Sequence, residues 1–200
     1  SDDREFNRVM KIAMPGADVS LYPSFVSYEE AHMLFDALRK EIDWKQEKVR
    51  VYGRVHDTPR LTAWHGDAKK KYTYSGLTSE TLAWTKSLLI IKDKIERAVQ
   101  HEFNSVLLNL YRNGNDGVSW HSDDEAELGE NPVIASLSLG ETRTFQMKHK
   151  TLSAEKRQMS LEHGCLLLMK GATQHNWLHQ IPKTKKHMSE RINLTFRVVN

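Results

Sequence analysis

R-I-N-L-T-F-R-V, residues 191–198, alternates without a break. Successive side chains of a strand point to opposite faces, so Ile192, Leu194, Phe196 and Val198 share one side and Arg191, Asn193, Thr195 and Arg197 the other. Most antiparallel strands with this pattern turn the polar face to water. The alternative is a barrel in which the polar face looks inward and lines a pocket for an anion. S-V-L-L-N-L-Y-R (105–112) poses the same choice, with Val106, Leu108 and Leu110 on one side and Leu107, Asn109 and Tyr111 on the other. From about residue 105 onward the chain reads as short strands separated by turn chemistry such as N-G-N-D-G (113–117) and L-G-E-N-P (128–132), which suggests a sandwich or barrel.

Two helices precede these strands. S-Y-E-E (27–30) is a capping box, Ser27 with Glu30 three residues on, and Ala31, Leu34, Phe35, Leu38 and Ile42 then follow helical spacing. A second helix is predicted over about 84–101, with Leu88, Ile91, Ile95 and Ala98 on one stripe. Both read as buttresses for the sheet. The 200 residues suit one domain, with no repeat, low-complexity tract or linker to mark a second. No apolar run approaches the roughly 18 residues of a membrane span, and S-D-D-R-E-F-N-R lacks a signal peptide's apolar stretch. A soluble intracellular monomer without a membrane partner is expected, nuclear in a eukaryote and cytoplasmic in a bacterium.

The single cysteine, Cys165 in G-C-L-L-L-M, excludes an internal disulfide and a Cys-rich zinc site, and reads as a small buried hydrophobe. The net charge of +3 favours an anionic partner only weakly. Its distribution says more. Lys69, Lys70 and Lys71 form one run, and Lys183, Lys185 and Lys186 cluster in I-P-K-T-K-K-H, although either run alone is ordinary for a solvated surface.

His-x-Asp occurs twice, in W-H-G-D (64–67) and W-H-S-D (120–123). These are two of the three ligands of a non-haem Fe(II) site, whose third is a distant His. Downstream candidates are His149, His163, His175, His179 and His187. His175 and His179 are spaced as in a helical zinc motif, but Asn176 stands where the general-base Glu is needed, and Gly171 and Pro182 flank the stretch. As a strand, W-L-H-Q-I-P presents Trp177, His179 and Ile181 on one side. His121 and Asp123 lie between the Asn109/Tyr111 strand and the Arg191/Arg197 strand, and form a set with His179. His65 and Asp67 lie upstream among residues that do not read as the same sheet. The metal is therefore assigned to His121, Asp123 and His179, and the first copy to coincidence.

N-L-Y-R (109–112), W-H-S-D-D-E (120–125), I-A-S-L-S-L-G (134–140), H-Q-I-P (179–182) and R-I-N-L-T-F-R (191–197) resemble, in order and spacing, the AlkB family of Fe(II)- and 2-oxoglutarate-dependent dioxygenases that repair alkylated nucleic-acid bases. The resemblance runs from about residue 50 to the end, and is to the DNA-repairing animal-type members. It implies an α+β, mainly β fold: a double-stranded β-helix, or jelly-roll, with buttressing helices and an N-terminal nucleotide-recognition lid. Within a single domain, about 1–45 would be an extension and helix, about 46–104 the lid with its supporting helix, and about 105–200 the jelly-roll core. Asn109 and Tyr111 would meet 2-oxoglutarate, Arg191 would pair with its distal carboxylate with Asn193 nearby, and Arg197 would lie near the keto-acid end and Asp123. The residue types agree, since a dicarboxylate suits the bidentate fork of arginine. Fe(II), 2-oxoglutarate and O₂ are the implied cofactor and co-substrates, with ascorbate as a helper.

The implied reaction hydroxylates an N-methyl group on N1-methyladenine or N3-methylcytosine. The resulting hemiaminal releases formaldehyde, while 2-oxoglutarate becomes succinate and CO₂. A base in a duplex must first be flipped out of the stack. Y-T-Y-S-G (72–76) matches the family's base-pocket segment, with Tyr74 as a stacking wall opposite His121 and Tyr72 as a polar contact; Glu125 matches a position near the base's exocyclic edge. R-V-Y-G-R (50–54) resembles the finger hairpin of the branch acting on duplex DNA, where Val51 and Tyr52 would fill the gap left by the flipped base. Lys183, Lys185 and Lys186 occupy the place of a basic loop that grips the opposite strand there. P-R-L-T-A-W and L-N-L-Y-R-N are closer to the branch that prefers single strands. The expected partner is DNA, duplex favoured over single strand. An RNA- or protein-directed hydroxylase on the same scaffold is the alternative, followed by a non-catalytic nucleic-acid-binding module.

Overall fold

The structure, a computed structural model, describes residues 8–68, 71–74 and 77–200, and over 71–74 and 77–79 the backbone alone. Its elements in chain order are β1 (Met10–Ile12), β2 (Asp18–Tyr22), α1 (Tyr28–Glu41), β3 (Lys45–Val51), β4 (Arg54–Gly66), β5 (Lys71–Tyr74), β6 (Leu77–Glu80) and α2 (Lys86–Val99). There follow β7 (Ser105–Tyr111), β8 (Val118–His121), β9 (Ile134–Gly140), β10 (Arg143–His149), β11 (Lys156–Leu161), β12 (Leu166–Lys170), β13 (Trp177–Ile181) and β14 (Arg191–Arg197). Strands β7, β9, β12 and β14 belong to the larger sheet, ordered β1-β2-β12-β9-β14-β7-β4-β3, while β11-β10-β13-β8 form the smaller one. The chain thus passes back and forth between two facing antiparallel sheets, which is a jelly-roll.

The alternation in β14 sets the layers. Ile192, Leu194 and Phe196 are fully buried in one cluster with Val106, Leu108 and Leu110 of β7, Ala31 and Leu38 of α1, and Leu88, Ile91 and Ile95 of α2. Each large aliphatic or aromatic side chain so buried stabilises the fold by about 1.5–3 kcal/mol. The opposite face of β14 is buried as well: Arg191, Asn193, Thr195 and Arg197 are 1, 6, 8 and 5% exposed. The polar row therefore looks into the space between the sheets and not out to water.

The helices follow their sequence signals with two differences. Ser27 Oγ accepts from the Glu30 backbone N–H at 3.1 Å, as a cap should. The Glu30 carboxylate, however, accepts from Lys94 of α2 at 3.2 Å, tying the two helices together. On α2 the stripe runs Leu88, Ile91, Ile95 and then Val99; Ala98 is exposed. No helix among the described residues is long and apolar enough to cross a membrane.

The upstream segments join the same sheet, which corrects the reading of the stretch around residue 64 as foreign to it. Leu61 to Gly66 of β4 pair with Leu110 to Ser105 of β7, and β3 and the rest of β4 continue outward as a long hairpin. Where the hairpin leaves the sheet its register slips opposite Gln46–Lys48. Pro59 sits in that bulge, where a missing N–H costs least. At the far edge β2 pairs with β12, and the Trp177 indole donates to the Pro15 carbonyl at 2.8 Å, fastening β13 to the N-terminal strands.

Candidate metal and co-substrate site

His121 ends β8 and His179 lies at the middle of β13, directly opposite it in the register. Their rings are 4.3 Å apart, and Asp123 Oδ1 is 3.8 Å from His121 Nε2. One donor atom from each of His121, Asp123 and His179 falls within 4.8 Å of the others, and among the described residues this is the metal-competent cluster. Neighbours fix the ligands. The His121 ring contacts the Ser119 carbonyl through Nδ1 at 2.8 Å, an arrangement that leaves Nε2 to face Asp123 and a metal. Ser122 Oγ donates to the Trp177 carbonyl at 2.6 Å, and the Asp123 N–H donates to Gln174 Oε1 at 2.9 Å. Phe145 stacks on His179 at 5.3 Å.

The electrostatics prepare these groups for a cation. Burial alone would raise the Asp123 carboxyl, but Arg197, His179 and His121 outweigh it and hold the group below the ordinary carboxylate range. Burial, aided by His121 and Arg197 and opposed by Asp123, pushes His179 down to about 3, so its imidazole is neutral at pH 7. A carboxylate and a neutral imidazole are the forms a metal binds. Arg197 Nη2 is 3.9 Å from Asp123 Oδ1.

A cavity of about 290 Å³ runs between the sheets from this cluster to Tyr111, Asn193 and Arg191. Arg191 donates through Nη2 to Ser138 Oγ at 2.9 Å, and its guanidinium carbon lies 5.0 Å from the centre of the Tyr111 ring. Its Nε and Nη1, and Oδ1 of Asn109, are buried without a hydrogen-bond partner among the described residues. A buried guanidinium with two idle donors is costly by itself. A carboxylate accepting from both would offset that cost. The donor set therefore fits a metal at one end and an acid group at the other. Asn193 stands between them with its polar atoms engaged by Ser136, the Leu137 carbonyl and Thr195, so it braces the wall. Ser136 and Ser138 were not singled out from the sequence. The alternation in I-A-S-L-S-L-G, which puts both serines opposite the apolar residues, carried that signal.

The other named residues fall in three places. Val51 and Tyr52 occupy the tip of the β3–β4 hairpin, where Tyr52 is wholly exposed. Lys183, Lys185 and Lys186 are exposed on the segment between β13 and β14. Glu125 follows the metal ligands and is half-buried, but it is not on the cavity wall among the described residues. Tyr72 and Tyr74 belong to β5, and their side chains lie outside the described residues, as does Lys69-Lys70. The first His-x-Asp is occupied otherwise. His65 projects to the helix side of β4, its Nδ1 2.7 Å from the Ala83 carbonyl, and Asp67 accepts from the Trp84 indole at 2.8 Å. The choice of copy stands, although the reason is the face that His65 presents and not a different sheet.

The model of the 2OG-Fe(II) oxygenase superfamily matches residues 18–197. The chain is 43% identical over 207 residues to the Homo sapiens alpha-ketoglutarate-dependent dioxygenase alkB homolog 3, across 98% of this chain and 72% of that protein. The chain belongs to the AlkB family. A second relative, the Homo sapiens DNA oxidative demethylase ALKBH2, is 37% identical across 94% of this chain and 76% of its own length. The solved structure of OsALKBH1 superposes with a TM-score of 0.68 at 15% identity, over 96% of this chain and all of that one, and shares the fold. This AlkB-family protein is accordingly a 2-oxoglutarate-dependent dioxygenase that uses Fe(II) and O₂. His121, Asp123 and His179 would hold the iron, and Arg191, Tyr111 and Asn109 the distal part of 2-oxoglutarate.

Proposed function

We propose that this dioxygenase removes N-methyl groups from N1-methyladenine and N3-methylcytosine in DNA, with duplex preferred to single strand. The DNA assignment draws on the relative that is itself named a DNA oxidative demethylase. The duplex assignment rests on one observation. Val51-Tyr52-Gly53-Arg54 closes the hairpin in two residues with φ of +48° at Tyr52 and +77° at Gly53. Positive φ at both positions marks a type I′ turn, which favours Asn, Asp or Gly first. A tyrosine there costs about 1–2 kcal/mol and gains no packing, being wholly exposed. Strain kept at an exposed tip points to a use outside the fold. A ring held out on a hairpin can replace a flipped base in the stack.

In this reading the chain's residues divide the work. Bound iron supplies the oxidising chemistry, drawing on 2-oxoglutarate and O₂. Asp123 and His179, in their metal-binding forms, are buried out of water. Arg191 orients the co-substrate by a fixed fork, so that its other end meets the iron. The hemiaminal left on the base then collapses without further help from the protein, releasing formaldehyde. The exposed lysines at 183–186 contact phosphates and add affinity without sequence preference. Residues of the single-strand-like motif serve the scaffold as well: Arg60 of P-R-L-T-A-W is buried and donates to the Gly117 carbonyl at 3.1 Å.

The test uses a duplex with one N1-methyladenine and the matching single strand, each followed by oligonucleotide mass with Fe(II), 2-oxoglutarate and ascorbate. Faster methyl loss from the duplex supports the whole reading. Faster loss from the single strand overturns the duplex preference. Consumption of 2-oxoglutarate with neither strand changed moves the substrate to RNA or protein.

A further inference from the structure

One buried charge has no part in the site as described. Arg143 opens β10 in the smaller sheet and is 2% exposed. Its Nη2 donates to the carbonyls of Asp116 and Pro182, both at 2.9 Å, and its Nη1 to the Asn113 carbonyl at 3.3 Å. Its guanidinium carbon lies 5.7 Å from the centre of the Tyr111 ring, and that of Arg191 lies 5.0 Å from the same ring. Tyr111 thus lies beside an arginine from each sheet.

This is an expensive arrangement. The Asp116 carboxylate is already engaged by Arg112, which reaches it through Nε at 2.8 Å and Nη2 at 3.1 Å. Burial, and then the like charge of Arg191, lower the affinity of Arg143 for its proton, with Tyr111, Asp116 and Glu141 opposing. Carbonyl dipoles alone do not offset two neighbouring buried cations as a carboxylate would. The same three carbonyls come from the two segments that follow β7 and β13, so Arg143 ties those segments together beside the Tyr111 ring.

We propose that Arg143 is a positioning residue for the distal carboxylate of 2-oxoglutarate, acting through Tyr111. It presses the ring toward Arg191, so that the Tyr111 hydroxyl and the idle donors of Arg191 converge on one carboxylate, and it adds a second positive charge behind them. The inference rests on the assignment of that carboxylate to Arg191.

The test compares two ligands on Mn(II)-loaded protein by calorimetry. N-oxalylglycine carries both the metal-chelating end and the distal carboxylate, whereas oxalate carries only the first. Arg143→Met weakens N-oxalylglycine at least tenfold and leaves oxalate within twofold. Arg143→Lys, which keeps the charge and stem and so guards against misfolding, shows the same selectivity with a smaller loss. In a Tyr111→Phe background, Arg143→Lys costs less than in the wild type, because its route is already cut. Equal losses for both ligands make Arg143 a structural residue only, and overturn the proposal. Unchanged N-oxalylglycine binding, or equal Arg143→Lys losses in both backgrounds, overturns it too.

Discussion

Tyr52 and Arg60 share one hairpin but live in opposite surroundings: Tyr52 is wholly exposed at the tip, whereas Arg60 is 8% exposed and donates to Gly117 across the sheet. The two should separate function from stability. Tyr52→Ala is expected to change unfolding free energy by no more than about 0.5 kcal/mol. It should slow duplex repair about tenfold while the single-strand rate stays within a factor of about two, as removal of one stacking interaction of about 1–3 kcal/mol requires. Tyr52→Gly should raise stability by about 1 kcal/mol through relief of the positive φ. Arg60→Met should lower it by about 1–3 kcal/mol. Urea unfolding and strand-specific initial rates check all three, and equal loss on both strands would remove the finger role.

The two His-x-Asp pairs give a clean contrast. His121→Ala should abolish Mn(II) binding and turnover. His65→Ala should leave metal stoichiometry at one, at a cost of about 1–2 kcal/mol from the missing bond to Ala83. Metal content after dialysis decides, and loss of metal in the His65 variant would reverse the assignment.

Cys165 links stability to pH. Burial pushes its thiol up to about 11. The unfolded thiol ionises near 8.5. Between those values the folded state holds the proton that the unfolded state has lost, so the contribution is complete below the unfolded pKa and disappears as pH rises toward the folded one. The loss is about 3 kcal/mol once pH reaches 11. Cys165→Ala should remove this fall, visible as a flatter urea midpoint from pH 8.5 to 10. Native Cys165 should also resist iodoacetamide at pH 8 and react once unfolded.

The segment with the exposed lysines rests against the turn after β7. A Cβ on Gly114 would collide with the Thr184 carbonyl and come within 2.9 Å of the Lys186 carbonyl. Both are backbone atoms that cannot swing away. Gly114→Ala should therefore displace the lysines and weaken duplex affinity. Replacing Lys183, Lys185 and Lys186 together with Ala should flatten the salt dependence of log K by about 0.9 for each phosphate no longer neutralised. An unchanged slope would mean that the lysines do not touch the backbone of DNA.

Much of this arrangement could be read from period and spacing, and the failures share a cause. The alternation in β7 and β14 located the co-substrate wall because both faces of those strands are buried and each demands a definite residue type. The metal ligands followed from their order between those two strands. β4 was misread because its pairing with β7 joins residues some 45 positions apart, and W-H-G-D carries no local sign of which face His65 takes. Ala98 looked like part of the α2 stripe because Ala suits either environment, and only packing chose Val99. Arg143 escaped notice because a lone arginine at a strand start reads as surface; three carbonyls from two distant segments make it otherwise.

Because β14 is buried on both faces, its length is as constrained as its composition. Adding or removing one residue within Arg191–Arg197 would rotate every later side chain by half a turn, sending leucine into the anion pocket and arginine against the helices. Substitutions there can be graded, one position at a time; insertions cannot. Lineages descended from this gene should therefore drift in the hairpin tip and the lysine segment by gaining and losing residues, while these seven positions keep their count.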